Sequence, residues 1–178
     1  MPDRSPHSNL SIETEHSLSC FFKFLEKRSQ ANSIMTSRHI ATHREKAEIH
    51  TGESLCKQKS LELLEEIHLP LGLLPLDNIV EVGYNRTTGF VWLKQKKRKD
   101  HRFLKIGRQV SYDTEVTAFV EDRRMRRLTG VKTKELLIWV SISDIYVDEK
   151  DLEKITFGNP TGISRTFPVS AFELEEKK

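Results

Sequence analysis

Tyr112, Thr114, Val116, Ala118 and Val120 alternate with Asp113, Glu115, Thr117 and Glu121, and no other pattern in the chain restricts the fold as much. A period of two puts the first set on one face of an extended strand and the second on the other. An apolar face opposite a charged one is the pattern of a half-exposed strand in an antiparallel sheet. The same period runs through the neighbouring segments. Val80, Val82 and Tyr84 alternate with Glu81 and Gly83, Asn85-Arg-Thr-Thr-Gly89 supplies turn residues, and Phe90-Val-Trp-Leu-Lys94 returns as the second strand of a hairpin. Glu121-Asp-Arg-Arg124 turns the long strand into a short one at Met125–Leu128. Leu136-Leu-Ile-Trp-Val140 is apolar on both faces, which predicts a central strand running on through Ser141, Ser143 and Asp144 to Val147. Lys154–Phe157 and Ser164–Phe167 are closing strands around the turn Gly158-Asn-Pro-Thr-Gly162. Short strands at this spacing predict an antiparallel β-barrel or sandwich over 69–172.

Upstream of the strands the chain changes character twice. Residues 1–37 are polar, Ser- and His-rich and without a sustained period, so they are expected to form a disordered extension with a helical turn near Phe21–Leu25. The abrupt change of composition at Met35-Thr-Ser-Arg38 marks Met35 as the expected natural start. From 38 to 68 the chain is rich in Glu, Lys, Ala and Leu and has no proline, and Ile49, Cys56, Leu63, Leu64 and Ile67 fall on one helical stripe. An amphipathic helix is predicted there, weakened at Gly52 by about 1 kcal/mol relative to alanine and ended by Pro70, which forces its predecessor out of the α region. The stripe needs a partner surface, and the sheet supplies one. The tail 173–178 is charged and solvated.

Charge and cysteine usage narrow the class of protein. Twenty-nine basic against 26 acidic side chains leave a formal net charge of +3, too little to argue by itself for a nucleic-acid or membrane partner. Cys20 and Cys56 cannot make a disulfide framework, which fits a reducing compartment. Met1-Pro-Asp-Arg-Ser-Pro-His-Ser8 has no apolar stretch of the secretory kind, and Leu18–Leu25 is far short of the ~18–20 apolar residues that span a bilayer. A cytoplasmic, non-secreted protein is expected, with membrane association or partial nuclear entry through its basic run. The sequons at Asn9 and Asn85 are then left unmodified.

Few motifs carry chemistry. Gly-x-Ser-x-Gly, His-Glu-x-x-His and Gly-rich phosphate loops are all missing from the sequence. Ser141, Ser164, His101 and Asp144 do not have the spacing of a triad, and Cys56 lies on the apolar stripe as a structural thiol. His39, His43 and His50 share a helix face but form no zinc set without further ligands, so they read as surface histidines, and no metal or cofactor is expected. Lys94-Gln-Lys-Lys-Arg-Lys-Asp-His-Arg102 reads as a basic loop, and Arg123-Arg-Met-Arg-Arg127 is a second cluster. If both lie at one end of the barrel, Lys96, Lys97, Arg98, Arg102, Arg124 and Arg126 form a single anion-binding rim, each worth ~1 kcal/mol against anionic head groups. With only Phe103 nearby, stacking on bases is disfavoured, and so is nucleic acid. The plain alternative is a solvated surface. Trp92 and Trp139, on apolar strand faces, either pack the core or line a pocket with Tyr112 and Phe167.

Several segments resemble one family throughout: Leu69-Pro-Leu-Gly-Leu-Leu-Pro-Leu76, Glu81-Val-Gly-Tyr84, Val91-Trp-Leu-Lys-Gln95, Val110-Ser-Tyr112 and Thr114-Glu-Val-Thr-Ala118. Leu128-Thr-Gly-Val-Lys132, Lys134-Glu-Leu-Leu-Ile-Trp-Val140 and Arg165-Thr-Phe-Pro-Val169 continue the match in order. From about Lys46 to Phe172 the chain resembles the plant domain-of-unknown-function 538 family, in the subgroup without a leader, to which Lys46-Ala-Glu-Ile-His-Thr-Gly52 also corresponds. The resemblance implies a β-barrel-like domain with a packed helix. It implies kinship of form with lipid-binding proteins of the bactericidal/permeability-increasing type, and hydrolase activity has been proposed for some members. It carries over no catalytic motif. The first 34 residues have no counterpart in it, and the basic run at 94–108 is denser than in relatives.

The combined expectation is a non-enzymatic binder of an apolar or amphiphilic, lipid-like ligand, with Trp92, Trp139, Tyr112 and Phe167 around the pocket. The basic rim would give it peripheral contact with an anionic membrane. An esterase-like hydrolase and a regulatory protein-interaction module are the alternatives.

Overall fold

The structure, a computed structural model of the chain, describes residues 34–174. The expected extension up to residue 33, Cys20 and residues 175–178 of the tail lie outside the described residues. The chain divides into two compact units, Met1–Arg38 and His39–Lys178. Helix α1 (34–43) begins in the first, so residues 34–37 are helical rather than part of a disordered extension.

The second unit is mainly antiparallel β with little helix. Its strands are β1 (Glu48–Thr51), β2 (Ile79–Asn85), β3 (Phe90–Gln95), β4 (Lys99–Phe103) and β5 (Arg108–Glu121). They continue with β6 (Arg124–Glu135), β7 (Ile138–Ser141), β8 (Asp144–Asp148), β9 (Asp151–Gly158) and β10 (Ser164–Pro168). Together they form one ten-stranded sheet in the order β1-β2-β3-β5-β6-β8-β9-β10, with β4 added to β5 and β7 to β6. The sheet curls but is not closed: β1 and β10 end the pairing order.

The predicted helix over 38–68 is divided in the structure. Glu48-Ile-His-Thr51 is a strand beside β2, and helix α2 (Glu53–Glu66) starts only after Gly52, at φ 94°. β-Branched Ile49 and Thr51 favour the pleated state, and Gly52 takes a left-handed turn that residues with a Cβ resist. The apolar stripe of α2 is as read: Cys56, Leu63 and Leu64 are buried against Val82, Val91 and Leu93.

β3 is buried on both faces. Val91 and Leu93 face α2, while Phe90 and Trp92 meet Ile40, Ala47, Ile49 and Phe119 on the other side. The Trp92 indole lies against Gly83, its cross-strand partner, where any Cβ would collide with the ring. Trp92 Nε1 donates to Glu81 Oε1 at 2.8 Å, and Arg44 grips both oxygens of the same carboxylate at 2.8 Å. Glu81 thus ties the segment after α1 to the hairpin. The Arg44 bond, helped by Trp92 and nearby Lys94, holds its carboxyl down to about 2 in spite of burial.

Two further expectations change. Residues 99–103 of the basic loop are strand β4, paired with β5 from Lys99↔Tyr112 to Phe103↔Arg108. The run Leu136–Val140 is not central: β7 is four residues long and pairs only with β6, and Leu136 and Leu137 are 94% and 93% exposed at the hairpin tip. Apolarity on both faces suits a buried central strand, but here one face borders a cavity and the tip stands in solvent.

A carboxylate whose folded pKa is depressed contributes stability above its unfolded value, and that stability disappears as pH falls toward the folded value. For Glu81 the window runs from about 4.5 down to about 2, with an upper bound of about 3 kcal/mol. Glu81→Gln should therefore lower the urea unfolding free energy at pH 7 by about 1–3 kcal/mol, and the gap to the parent should close by pH 2–3. A gap independent of pH would contradict this role.

Candidate functional site

The half of the sheet remote from α2 encloses a cavity of about 710 Å³, within the ~300–1,000 Å³ of small-molecule sites. Its position follows from strand register. β5 pairs β4 along Arg108–Tyr112 and β3 along Glu115–Phe119, and its register with β6 shifts between Tyr112 and Thr117. Gly130, at φ 79°, lies so close to the Glu115 carbonyl that a side chain there would overlap it. That is the local form of a β-bulge, which bends a strand and increases its twist. Beyond the bend, the inward residues of β5 and β6 (Val110, Tyr112, Val131, Thr133) face those of β9 and β10 (Phe157, Phe167) across open space.

The floor is made where the Leu69–Leu76 segment meets the chain that follows β10. Leu73 and Leu74 lie beside Phe172, and Gly72 approaches the Phe172 carbonyl so closely that a Cβ would sit 2.6 Å from its oxygen. Tyr112 Oη donates to the Leu73 carbonyl at 2.9 Å. Full burial pushes its phenol above the ordinary value, so it remains a donor. Phe103, Phe157 and Phe167 surround Phe172 at centroid distances of 4.8, 5.0 and 6.4 Å. Edge-to-face and tilted aromatic packing of this kind keeps a wall rigid while leaving it apolar.

The mouth carries both charged and aliphatic side chains. Glu135 Oε2 accepts from Arg108 at 2.9 Å and lies 3.2 Å from Arg165 Nη2, so two guanidinium groups share one carboxylate. Arg108 also lies over the Phe167 ring at 6.0 Å. The cluster keeps one net positive charge beside an apolar wall. Leu136, Leu137 and Ile138 from the β6–β7 tip and Ile163 from the β9–β10 loop line the cavity as well. Asn159 shapes that loop, its Oδ1 accepting from Ile163 N at 2.9 Å and Thr161 N at 3.0 Å.

Of the four pocket residues named from sequence, Tyr112 and Phe167 line the cavity. Trp92 is in the second core cluster, bound to Glu81, and does not reach it. Trp139 points to the opposite face of β7 from the cavity-lining Ile138 and Val140, with Arg98 5.3 Å and Lys134 6.0 Å from its ring. The six basic residues do not make one rim. Lys96, Lys97 and Arg98 lie in the β3–β4 turn and Arg102 on β4, next to the Arg108–Tyr112 stretch of β5. Arg124 and Arg126 pair with the Phe119–Glu121 end, roughly 30 Å away at ~3.3 Å per residue. Arg124 faces Asp144 at 3.7 Å and Arg126 faces Glu121 at 3.0 Å.

The residues weighed for hydrolytic and metal chemistry make other contacts. Asp144 accepts from Ser143 Oγ at 2.8 Å, and His101 lies edge-on to Phe103. Cys56 Sγ donates to the His50 carbonyl at 3.3 Å, and burial raises its pKa, which keeps it a thiol. His43 stacks on Phe90 with centroids 4.4 Å apart. Among the described residues no three His, Cys, Asp or Glu side chains are grouped to hold a metal ion. No described helix is long and apolar enough to cross a membrane.

Sequence reasoning missed Arg108, Glu135 and Arg165. They lie on three strands, and only the β5–β6 register and the curl toward β10 bring them together. The one readable signal was weak: Glu135 and Arg165 each lie within a segment shared with the family.

A sequence model of the family described as "Protein of unknown function, DUF538" matches residues 60–173. No curated protein and no solved structure matches the chain.

Tyr112→Phe should leave the Leu73 carbonyl buried without its donor and cost about 1–3 kcal/mol in urea unfolding. A neutral substitution would mean that the Leu69–Leu76 segment is held to β5 by packing alone.

Proposed function

The chain belongs to the DUF538 family, whose description assigns no activity, so we propose a function from its own geometry: it binds one amphiphilic small molecule, apolar chain inward and anionic head at the Arg108–Glu135–Arg165 cluster. The observation that carries this is a large apolar cavity ending in two arginines that share one carboxylate. Buried methylene groups contribute about 0.8 kcal/mol each. Ten of them supply a gross ~8 kcal/mol, the scale of a micromolar Kd before the cost of association is subtracted. The head then decides orientation more than affinity. Glu135 neutralises one guanidinium, and the remaining charge favours a carboxylate or phosphate over a neutral head.

The test is displacement of 1-anilinonaphthalene-8-sulfonate from the full chain by a long-chain fatty acid and by the fatty alcohol of the same length, below micelle formation. Both should compete. Arg165→Glu should weaken the acid about five- to tenfold, ~1–1.4 kcal/mol, and the alcohol little. If neither displaces the dye from the parent chain, the cavity is not a binding site for such molecules. Equal losses for acid and alcohol would remove the arginine cluster from head-group recognition.

A further inference from the structure

The tip of the β6–β7 hairpin breaks two rules at once. Leu136 and Leu137 are 94% and 93% exposed, and Ile138 and Ile163 beside them 65% each. The register Glu135↔Ile138 leaves only Leu136 and Leu137 as the loop, and Leu136 has φ 54°. Two-residue hairpin loops favour Asn-Gly, Asp-Gly or Gly followed by a small polar residue, because their backbone enters the left-handed region. A leucine there is strained, and neither leucine is repaid by burial inside the protein. Conflicts between local preference and fold concentrate at functional sites.

Charge around the tip is one-sided. Trp139 emerges from the face of β7 away from the cavity, flanked by Arg98 and Lys134. Lys96 and Lys97 are exposed on the turn that carries Arg98. The carboxylates closest in sequence are engaged: Glu135 by Arg108 and Arg165, Asp100 by Arg98. An apolar point, a tryptophan at its base and a cationic collar is the arrangement that suits a bilayer interface, with tryptophan at head-group level and basic side chains on phosphate.

We infer that the β6–β7 tip docks on an anionic phospholipid bilayer, inserting Leu136 and Leu137 while Arg98, Lys134, Lys96 and Lys97 meet the head groups. A second copy of the chain is the lesser fit, because a two-fold contact through the tips would set the same cations against one another. The cavity opens beside the inserted leucines, so docking would place its mouth at the lipid surface. The inference rests on the tip itself and does not require that the cavity hold a ligand.

The experiment is flotation of the full chain with phosphatidylcholine vesicles, with and without phosphatidylglycerol, and tryptophan quenching by brominated lipid. Binding should need the anionic lipid and weaken with salt. Quenching should report on half-exposed Trp139, since Trp92, the other tryptophan, is fully buried. Leu136→Gly with Leu137→Ser supplies residues that the turn prefers, so its melting temperature should equal or exceed the parent's, while vesicle binding falls at least about tenfold. Absence of parent binding to anionic vesicles, undiminished binding by the double variant, or a dimer that hides the tip in sedimentation would each overturn the inference. Failure on vesicles with intact dye displacement would leave the binding reading standing.

Discussion

The contact between Gly130 and the Glu115 carbonyl governs the rest of the molecule. It lets β5 and β6 change register in mid-strand, so one continuous sheet does two jobs. On one side of the bend β5 pairs with β3, and the space is filled by α2 and by Val82, Val91 and Leu93. On the other side it pairs with β4, and the sheet curls so that β5 faces β9 and β10 across the cavity without pairing with them. A straight pair of strands would extend the filled half and leave no cavity. A side chain at 130 would overlap backbone, which cannot move aside as a flexible side chain can.

The filled half fixes and the hollow half presents. Stability sits in the layers around β3, where Trp92, Glu81 and Arg44 close the outer face and α2 the inner one. The cavity borrows that rigidity through β5 and through the floor, where Tyr112 holds Leu73 and Phe172 packs against Gly72. Its mouth is then free to carry what a packed core forbids: two arginines on one carboxylate, and four exposed aliphatic side chains. Apolar side chains on show and cations with shared partners cost stability where they stand. They gain a purpose only if something apolar and anionic meets them.

Much of the fold was legible because period-two patterning survives in a half-buried sheet: the hairpin at Asn85–Gly89, the long strand through Val116 and the closing strands after Lys154 lie where alternation put them. Three readings failed for physical reasons. Glu48–Thr51 is too short to show a period, and its strand character lay in Ile49, Thr51 and the following Gly52. Leu136–Val140 has an apolar pattern common to buried strands and exposed tips, and only tertiary placement separates them. Trp92 and Trp139 were grouped by residue type, whereas β-strand parity put one in the core and the other behind the cavity wall. The Arg108–Glu135–Arg165 cluster was beyond sequence reading, since strand register across the curl assembles it.

On the proposed reading the cavity is occupied in the working protein. Native mass spectrometry of the full chain, purified without detergent, tests it most directly. An occupied cavity gives a second mass above the bare chain, released on mild activation as an acidic amphiphile, and lost when Val140→Trp fills the space. A bare-chain mass alone, unchanged after incubation with total lipid extract, would contradict it.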